Sequence, residues 1–375
     1  AKCWENKMSK AAELANLIGN INAGGGGVNR NVIINGAMNV AQRGTSSTGL
    51  GASAGYFTVD RFRMDSGSTA GRYTMTQDSS APSGFANSIK LACTTADTSI
   101  ASSEYLILQQ KLEGQNLQGF AKGTSDAKPF AVSFYVKGNA SATYVAELFD
   151  NDNTRQVSKS FTVGTDWARV ELSFPADTTG AFDDDNAFSL QLQIWLHSGS
   201  SYTSGTLSET WTSVTDANRA VGISSFFDST SRTFFITGVQ MEVGQNPTSF
   251  EIEPFERTLS KCQRYFQTWT QEASGFSTNN YGAVADSVMH GDTYAFMQYT
   301  HPVSLRATPA LTFNGNFASN NSGADRALSS LQINQATPYV TSFYGNIPDN
   351  NEAGEVGYMR ASNDGDASIF FNSEL

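Results

Sequence analysis

Three histidines, His197, His290 and His301, are the whole imidazole complement of the chain. No Gly-x-Ser-x-Gly elbow, HExxH pair or phosphate-binding loop accompanies them. Paired carboxylates of the glycosidase kind have no fixed spacing in sequence, so spacing neither finds nor excludes them. The expectation is a protein without catalysis. Recognition chemistry is better represented. Trp195, Tyr202 and Trp211 flank LHSGSSYTSGTLSET, a long polar loop rich in Gly and Ser, and loops of that kind carry recognition on rigid scaffolds. Exposed aromatics cover sugar faces and amides or carboxylates meet sugar hydroxyls, so these three are the candidate glycan contacts. The competing reading for Trp195 is a core residue, because it sits in an alternating strand.

Oxygen-rich runs are the other candidates. Asp150-Asn151-Asp152-Asn153 and Asp183-Asp184-Asp185-Asn186 offer hard ligands to Ca²⁺, which takes six to eight oxygens. Neither follows the EF-hand pattern, and Asp/Asn clusters are ordinary turn chemistry. Solvated turns are the expectation for both, with no metal ligand assigned and structural calcium left as an option.

The elements that must position these residues are strands. Alternating or short apolar patterns mark 72–76, 88–93, 105–112, 130–137, 143–149, 156–163, 168–174, 188–196 and 233–242, with Pro, Gly and Asn/Asp turn signals between them. The run TFFITGVQMEV alternates with Phe235, Thr237, Val239 and Met241 on one side and Phe234, Ile236, Gly238 and Gln240 on the other. Short strands with no long helix between them predict an antiparallel β-sandwich. Gly244, Asn246 and Pro247 then make a turn, and 256–265 reads as a short amphipathic helix. A smaller β-rich domain follows, with strands expected at 294–299, 310–313, 339–344, 355–360 and 367–371. Residues 369–371 are apolar, which predicts that this stretch is held in a sheet or subunit interface.

Before the sandwich, Ser9 can cap a helix whose Leu14, Leu17, Ile18 and Ile21 fall at i, i+3, i+4 and i+7. So short a helix needs a surface to dock on, in an oligomer, on another protein, or on its own sandwich. Gly24 to Gly27 form a hinge. The division is therefore 1–29, a helix and glycine linker; 30–254, the sandwich; and 255–375, the second β domain.

Composition narrows the partners. A formal charge of -11 with 16% charged residues argues against nucleic acid, whose recognition needs clustered Lys and Arg, and against adsorption to anionic lipid. No apolar stretch approaches a membrane span. Cys3, Cys93 and Cys262 are odd in number and far apart, which predicts buried thiols of a chain folded in a reducing cytoplasm.

Three stretches carry a family resemblance. V-Q-M-E-x-G, then P-T-x-F, then E-x-x-x-x-x-C-Q-R-Y-F spans the junction between the two β domains. NVIINGAMNVAQRGTS followed by YFTVDRF lies near the N-terminus, and HPVSLRATPALTFNG near the C-terminus. Together, in this order, they resemble tailed-bacteriophage fibre and related virion proteins, in which a carbohydrate-binding-module-like sandwich hands over to a C-terminal domain. The resemblance implies a jelly-roll form of the sandwich, a homotrimer, and a structural protein on the virion exterior, made in the host cytoplasm. It implies a tail fibre or appendage that attaches to a host-surface glycan and meets other virion proteins through its N-terminal segment. The alternatives are a capsid-decorating component without a receptor and a glycan-degrading tailspike, although the β-helix repeat expected of the latter is missing. Asp60, Arg61 and Arg43 fall in the N-terminal motifs and are expected to fix the opening strands. Gln263, Arg264 and Tyr265 are expected to form a polar helix edge bridging domains or subunits.

Overall fold

The computed structural model describes residues 10–11, 14–15, 18, 29–271, 282–290, 293–321, 323–347 and 353–375. The chain divides into two compact units, residues up to Thr258 and Leu259–Glu374. Of the expected docking stripe, Leu14 and Ile18 lie on helical residues and are 56% and 47% exposed. Leu17 and Ile21, like Ser9, Cys3 and the Gly24–Gly27 hinge, fall outside the described residues.

The first unit contains β1 (Ser46–Leu50), β2 (Gly55–Tyr56), β3 (Arg63–Gly67), β4 (Arg72–Asp78), β5 (Ser88–Thr95), β6 (Tyr105–Glu113), β7 (Phe130–Gly138), β8 (Ala142–Asp150), β9 (Arg155–Val163), β10 (Ala168–Phe174), β11 (Phe188–Ser198), β12 (Thr212–Ser213) and β13 (Thr233–Val243). They form a six-stranded sheet, β1-β4-β5-β13-β7-β10, and a seven-stranded sheet, β12-β9-β8-β11-β6-β3-β2. The chain passes back and forth between the sheets, as a jelly roll requires. The alternating runs of the sequence are these strands, and the apolar side of each faces one shared core. Leu106 and Leu108 of β6 and Leu190, Leu192 and Ile194 of β11 meet Phe130, Val132 and Phe134 of β7. Each such side chain contributes roughly 1.5–3 kcal/mol by leaving water.

Strand β13 departs from simple alternation. Its pairing with β7 shifts between Thr237 and Gln240, and Gly238 has φ +61°. An extra residue at a glycine bulge exchanges the two faces of the strand. Phe234 and Ile236 before the bulge and Val239 and Met241 after it therefore all point into the core. Phe235, expected beside Val239 and Met241, lies on the other face. There it packs under Lys137, whose Nζ is 4.8 Å from the ring centroid, and against Trp167.

The opening motif threads along β13. Val32 donates its N–H to Met241 O at 3.0 Å, and Val239 donates to Gly36 O at 2.9 Å. A Cβ on Gly36 would stand 2.0 Å from Val239 O, so only glycine fits this approach. Asn35, 3% exposed and at φ 61°, accepts the N–H groups of Asn39 and Val40 and donates to Val40 O and Asp60 O. Asp60 accepts the Gln42 N–H at 2.9 Å with Arg43 Nη1 at 3.7 Å, and Arg61 donates from Nη2 to Lys111 O at 2.7 Å. These residues serve the architecture of the opening turns.

The second unit contains β14 (Phe266–Thr270), β15 (Ala283–His290), β16 (Tyr294–Thr300), β17 (Ala310–Asn314), β18 (Phe317–Asn321), β19 (Ala324–Leu328), β20 (Leu331–Ala336), β21 (Val340–Asn346), β22 (Val356–Ala361) and β23 (Ser368–Asn372). A three-stranded sheet, β14-β23-β17, and a seven-stranded sheet, β19-β18-β22-β15-β16-β21-β20, enclose Met297, Phe317, Phe343, Met359, Ile369 and Phe371. The apolar 369–371 run is thus the centre of the central strand of the smaller sheet. The helix Phe255–Gln263 precedes it, and the division between the two units falls within that helix. Gln263 and Arg264 are half-buried at the end of this helix. Tyr265 is 1% exposed, and the backbone does the joining within this unit. Ser373 N–H donates to Tyr265 O, Arg306 N–H donates to Arg264 O, and Gln267 Nε2 donates to Gln263 O. Arg306 of the HPVSLRATPALTFNG stretch returns its guanidinium to Ser373 O at 2.9 Å.

Candidate functional site

The face of the seven-stranded sheet turned away from the core carries a row of polar side chains in direct register. Arg63 on β3 pairs with Gln109 on β6, Gln109 with Gln193 on β11, and Gln193 with Glu147 on β8. Period-two alternation puts these side chains on one face, because each stands between core residues of its own strand. They are linked laterally. Gln193 Nε2 donates to Gln109 Oε1 at 3.2 Å and to Gln191 Oε1 at 2.7 Å. Gln109 Nε2 lies 3.3 Å from Asp65 Oδ2, and Arg63 Nη1 lies 2.6 Å from the same oxygen. At the other end Arg219 donates to Gln193 Oε1 at 3.1 Å and from Nε to Glu147 Oε1 at 3.0 Å. Burial pushes the Glu147 carboxyl up, and Arg219 and the Trp195 N–H pull against that push. Burial alone would lower the Arg219 guanidinium, but Glu147 and Asp216 outweigh it and hold the group above its ordinary value.

The next row is Lys111, Gln191 and Phe149. Lys111 Nζ lies 4.3 Å from the Phe188 ring centroid and the Arg219 guanidinium 4.9 Å from that of Phe149. Gln109, Gln193 and Gln191 are buried, whereas Arg63, Asp65, Lys111, Phe149, Phe188 and Arg219 are half-buried. The arrangement is a floor of amides that donate and accept, edged by partly open rings and charges.

Trp195 shares that face but is sealed. Its ring, 1% exposed, packs with Ile107, Val145 and Ala220, and against Tyr105, Tyr202, Leu207 and Ile223. Its Nε1 donates to Glu147 Oε2 at 2.6 Å. Trp195 offers no face to a sugar as the chain is folded, and the core reading of this residue is the correct one. Tyr202, half-buried on the single-turn helix α1 (Ser200–Thr203), packs tilted against Trp195, ring centroids 5.2 Å apart, as part of the cover. Trp211 is elsewhere. It packs on the main core, 5.8 Å from Phe130, and its Nε1 donates to Pro175 O. The three aromatics do not make one patch, and the Gly/Ser-rich loop is not a free recognition loop. Gly199 and Ser201 donate to Glu104 O and Ser102 O, Gly205 to Ala217 O, and Ala220 to Tyr202 O, which pins the segment across the sheet.

The first Asp/Asn run already holds a cation supplied by the chain. Lys122 Nζ stands 2.6 Å from Asp150 Oδ2, 3.1 Å from Asp177 Oδ2, 2.9 Å from Thr179 O and 2.7 Å from Gly180 O. Trp211 and Phe182 rings lie 5.2 Å from the same ammonium. Burial alone would raise the Asp177 carboxyl. Arg155, the Thr179 N–H and Lys122 outweigh it and hold the group below its ordinary value. The second run makes turn bonds: Asp183 N–H donates to Asp152 Oδ2, and Ala187 N–H to Asp185 Oδ1.

His301 is internal, its ring nitrogens 2.9 Å from Gln267 Oε1 and 2.9 Å from Thr341 Oγ1, and burial pushes its pKa down to about 4. His290 is exposed on β15 beside Phe296. Aromatic residues do not mark the amide floor in the sequence. Its signal was the run 189–195, in which Leu190, Leu192 and Ile194 alternate with Gln191, Gln193 and Trp195.

No protein-family model matches the chain, and no curated protein matches it. Solved structures with a similar shape include TmCBM61 in complex with β-1,4-galactotriose, 9% identical over 57% of this chain and 99% of that one, TM-score 0.30. A family 11 carbohydrate-binding module of a cellulosomal cellulase of Clostridium thermocellum is 12% identical over 49% of this chain and 88% of its own, TM-score 0.27. The enzymatically active domain of bacteriophage CBA120 tailspike protein 4 is 12% identical over 57% of this chain and 21% of its own, TM-score 0.29. The jelly-roll assignment rests on the strand order of the two sheets and not on these likenesses.

Proposed function

We propose that the chain is a non-catalytic virion protein of a tailed bacteriophage, a tail fibre or appendage whose jelly roll binds a host-surface glycan. The resemblance of the three ordered motifs supports the virion part. The observation that carries the binding part is the in-register row Arg63, Gln109, Gln193 and Glu147. Sugar hydroxyls are both donors and acceptors, and a floor of amides meets them in kind, while Phe149 and Phe188 supply the apolar ring contact a sugar face needs. The floor sits on strands, which hold it rigidly.

The test is a glycan array and a host-cell binding assay with the full chain and with Gln191→Ala and Phe149→Ala. Binding that falls about tenfold or more in both variants, at unchanged melting temperature, supports the site. Wild-type binding that neither variant alters overturns it, and release of reducing sugar from host polysaccharide would overturn the non-catalytic reading.

Assembly is the second half of the proposal. Leu14 and Ile18, exposed at 56% and 47%, support attachment of the N-terminal segment to other virion proteins. Val288, Val356 and Tyr358 on β15 and β22, exposed at 46%, 71% and 38%, support a homotrimer and favour, as a runner-up, a purely structural or capsid-decorating role. Sedimentation of the full chain at three times the protomer mass is the expected result. Location in a particle reconstruction, tail or head lattice, separates the two roles.

A further inference from the structure

At the edge of the sandwich nearest the Trp195 cover, three side chains converge from different elements. Asp97 lies just past β5 in one sheet, Glu104 just before β6 in the other, and His197 on β11. One ligand atom from each lies within 4.8 Å of the other two, and the residues are 6%, 4% and 0% exposed. Glu104 Oε2 is 3.3 Å from His197 Nε2, which matches the edge of a tetrahedron whose ligands stand roughly 2.0–2.1 Å from a central zinc ion.

Charge and the placement of the imidazole both point to a cation between them. Two buried carboxylates this close repel in a medium of low dielectric. Among the described residues, the only ion pair either makes is Glu104 with His197. Asp97 is otherwise held by neutral donors, Thr69 Oγ1 at 3.0 Å and Ala70 N–H at 2.8 Å. On the far side of the imidazole, Nδ1 lies 2.8 Å from Ser225 Oγ, and that oxygen also accepts the Phe227 N–H at 3.0 Å. A hydroxyl so placed orients the ring and can accept an Nδ1 proton, the tautomer in which the Nε2 lone pair faces the two carboxylates. A neighbour of this kind behind a ligating histidine is the usual second layer of a metal site.

We infer that Asp97, Glu104 and His197 bind one divalent transition-metal ion of the zinc class, with a fourth position open to water. One nitrogen and two carboxylate oxygens favour zinc or a neighbouring first-row ion over calcium, which prefers all-oxygen sites. The ion would clasp the β5–β6 connection to β11 at the point where Gly199 donates to Glu104 O. It would therefore tie the two sheets together and anchor the segment that covers Trp195. This site is independent of the glycan reading.

The experiment is calorimetric titration of the EDTA-treated, dialysed full chain with ZnCl2, with melting temperature followed in parallel. The expected result is one ion per chain, and a melting temperature of the sandwich raised by roughly 5–10 °C at zinc about 100-fold above Kd. Glu104→Gln keeps the shape of the site and removes one charge. It should fold as well as the wild type without metal and lose at least about tenfold in zinc affinity, with His197→Gln behaving alike and His290→Ala unchanged. Co²⁺ should give a visible absorption band that is absent from Glu104→Gln. No zinc binding by the wild type, binding unchanged in both site variants, or Ca²⁺ competing on equal terms would each overturn the inference.

Discussion

The ammonium of Lys122 lies 2.6 Å from Asp150 Oδ2, with both side chains 0% exposed. With Asp177 Oδ2 and the carbonyls of Thr179 and Gly180 around the same nitrogen, this is an oxygen cage of the sort that holds a metal ion, filled by a side chain. Asp150 opens an Asp/Asn run that suggests calcium, yet the charge it meets is covalently part of the chain. Trp211, whose indole suggests sugar binding, instead forms one wall of the cage, its ring 5.2 Å from Nζ.

Removing that charge should be severe. Lys122→Met leaves Asp150 and Asp177 buried, with Asp177 keeping Arg155 at 2.7 Å and the Thr179 N–H at 3.0 Å. Breaking a buried pair from one side costs about 3–5 kcal/mol, so urea denaturation should show a loss of that order. Lys122→Ala empties the cage of its cation. Millimolar Ca²⁺ is expected to raise the melting temperature of that variant and to leave the wild type unmoved. A Lys122→Met protein as stable as the wild type would refute the account.

Much of this fold was legible because each strand alternates in isolation. Leu106, Leu108 and Leu112 announce β6, and Leu190, Leu192 and Ile194 announce β11, without reference to partners. The faces of β13 were not legible, because one glycine at φ +61° exchanges them and period-two reading has no term for an inserted residue. The site was the least legible part. Gln109, Gln193 and Glu147 are dozens of residues apart and become a row only through strand register, and Lys122 reaches Asp150 from a connection that has no pattern of its own.

Gly238 gives a direct check on the bulge. A Cβ there would sit 2.7 Å from the Phe85 ring and 2.9 Å from that of Tyr135, on a backbone at φ +61°. Gly238→Ala should therefore cost about 1–3 kcal/mol through left-handed strain and crowding, read as a lower urea midpoint at unchanged far-ultraviolet dichroism. A regular strand at this position would accept alanine with little effect.

Trp195 and Phe149 should separate structure from recognition. Trp195→Phe removes the N–H that reaches Glu147 Oε2 at 2.6 Å, leaving a buried carboxylate one donor short, which costs about 1–3 kcal/mol. Its measurable effect is expected in thermal unfolding. Phe149→Ala, at a half-buried ring beside Gln191, should lower glycan binding and leave unfolding nearly unchanged. The opposite pattern would return Trp195 to the role of sugar platform.

Acid should loosen the second unit through His301. Burial pushes its pKa down from 6.5 to about 4, so the folded protein binds the neutral ring and holds fewer protons than the unfolded chain between those values. Stability from this group is complete above pH 6.5, declines as pH falls, and levels off below about 4. His301→Gln can keep partners at Gln267 and Thr341 without titrating. Its unfolding free energy should therefore vary less steeply with pH than the wild type across that window, when followed by the fluorescence of Trp269 on β14. Identical slopes in the two proteins would show that His301 is charged in the folded state and that its burial counts for less than its 2.9 Å contacts suggest.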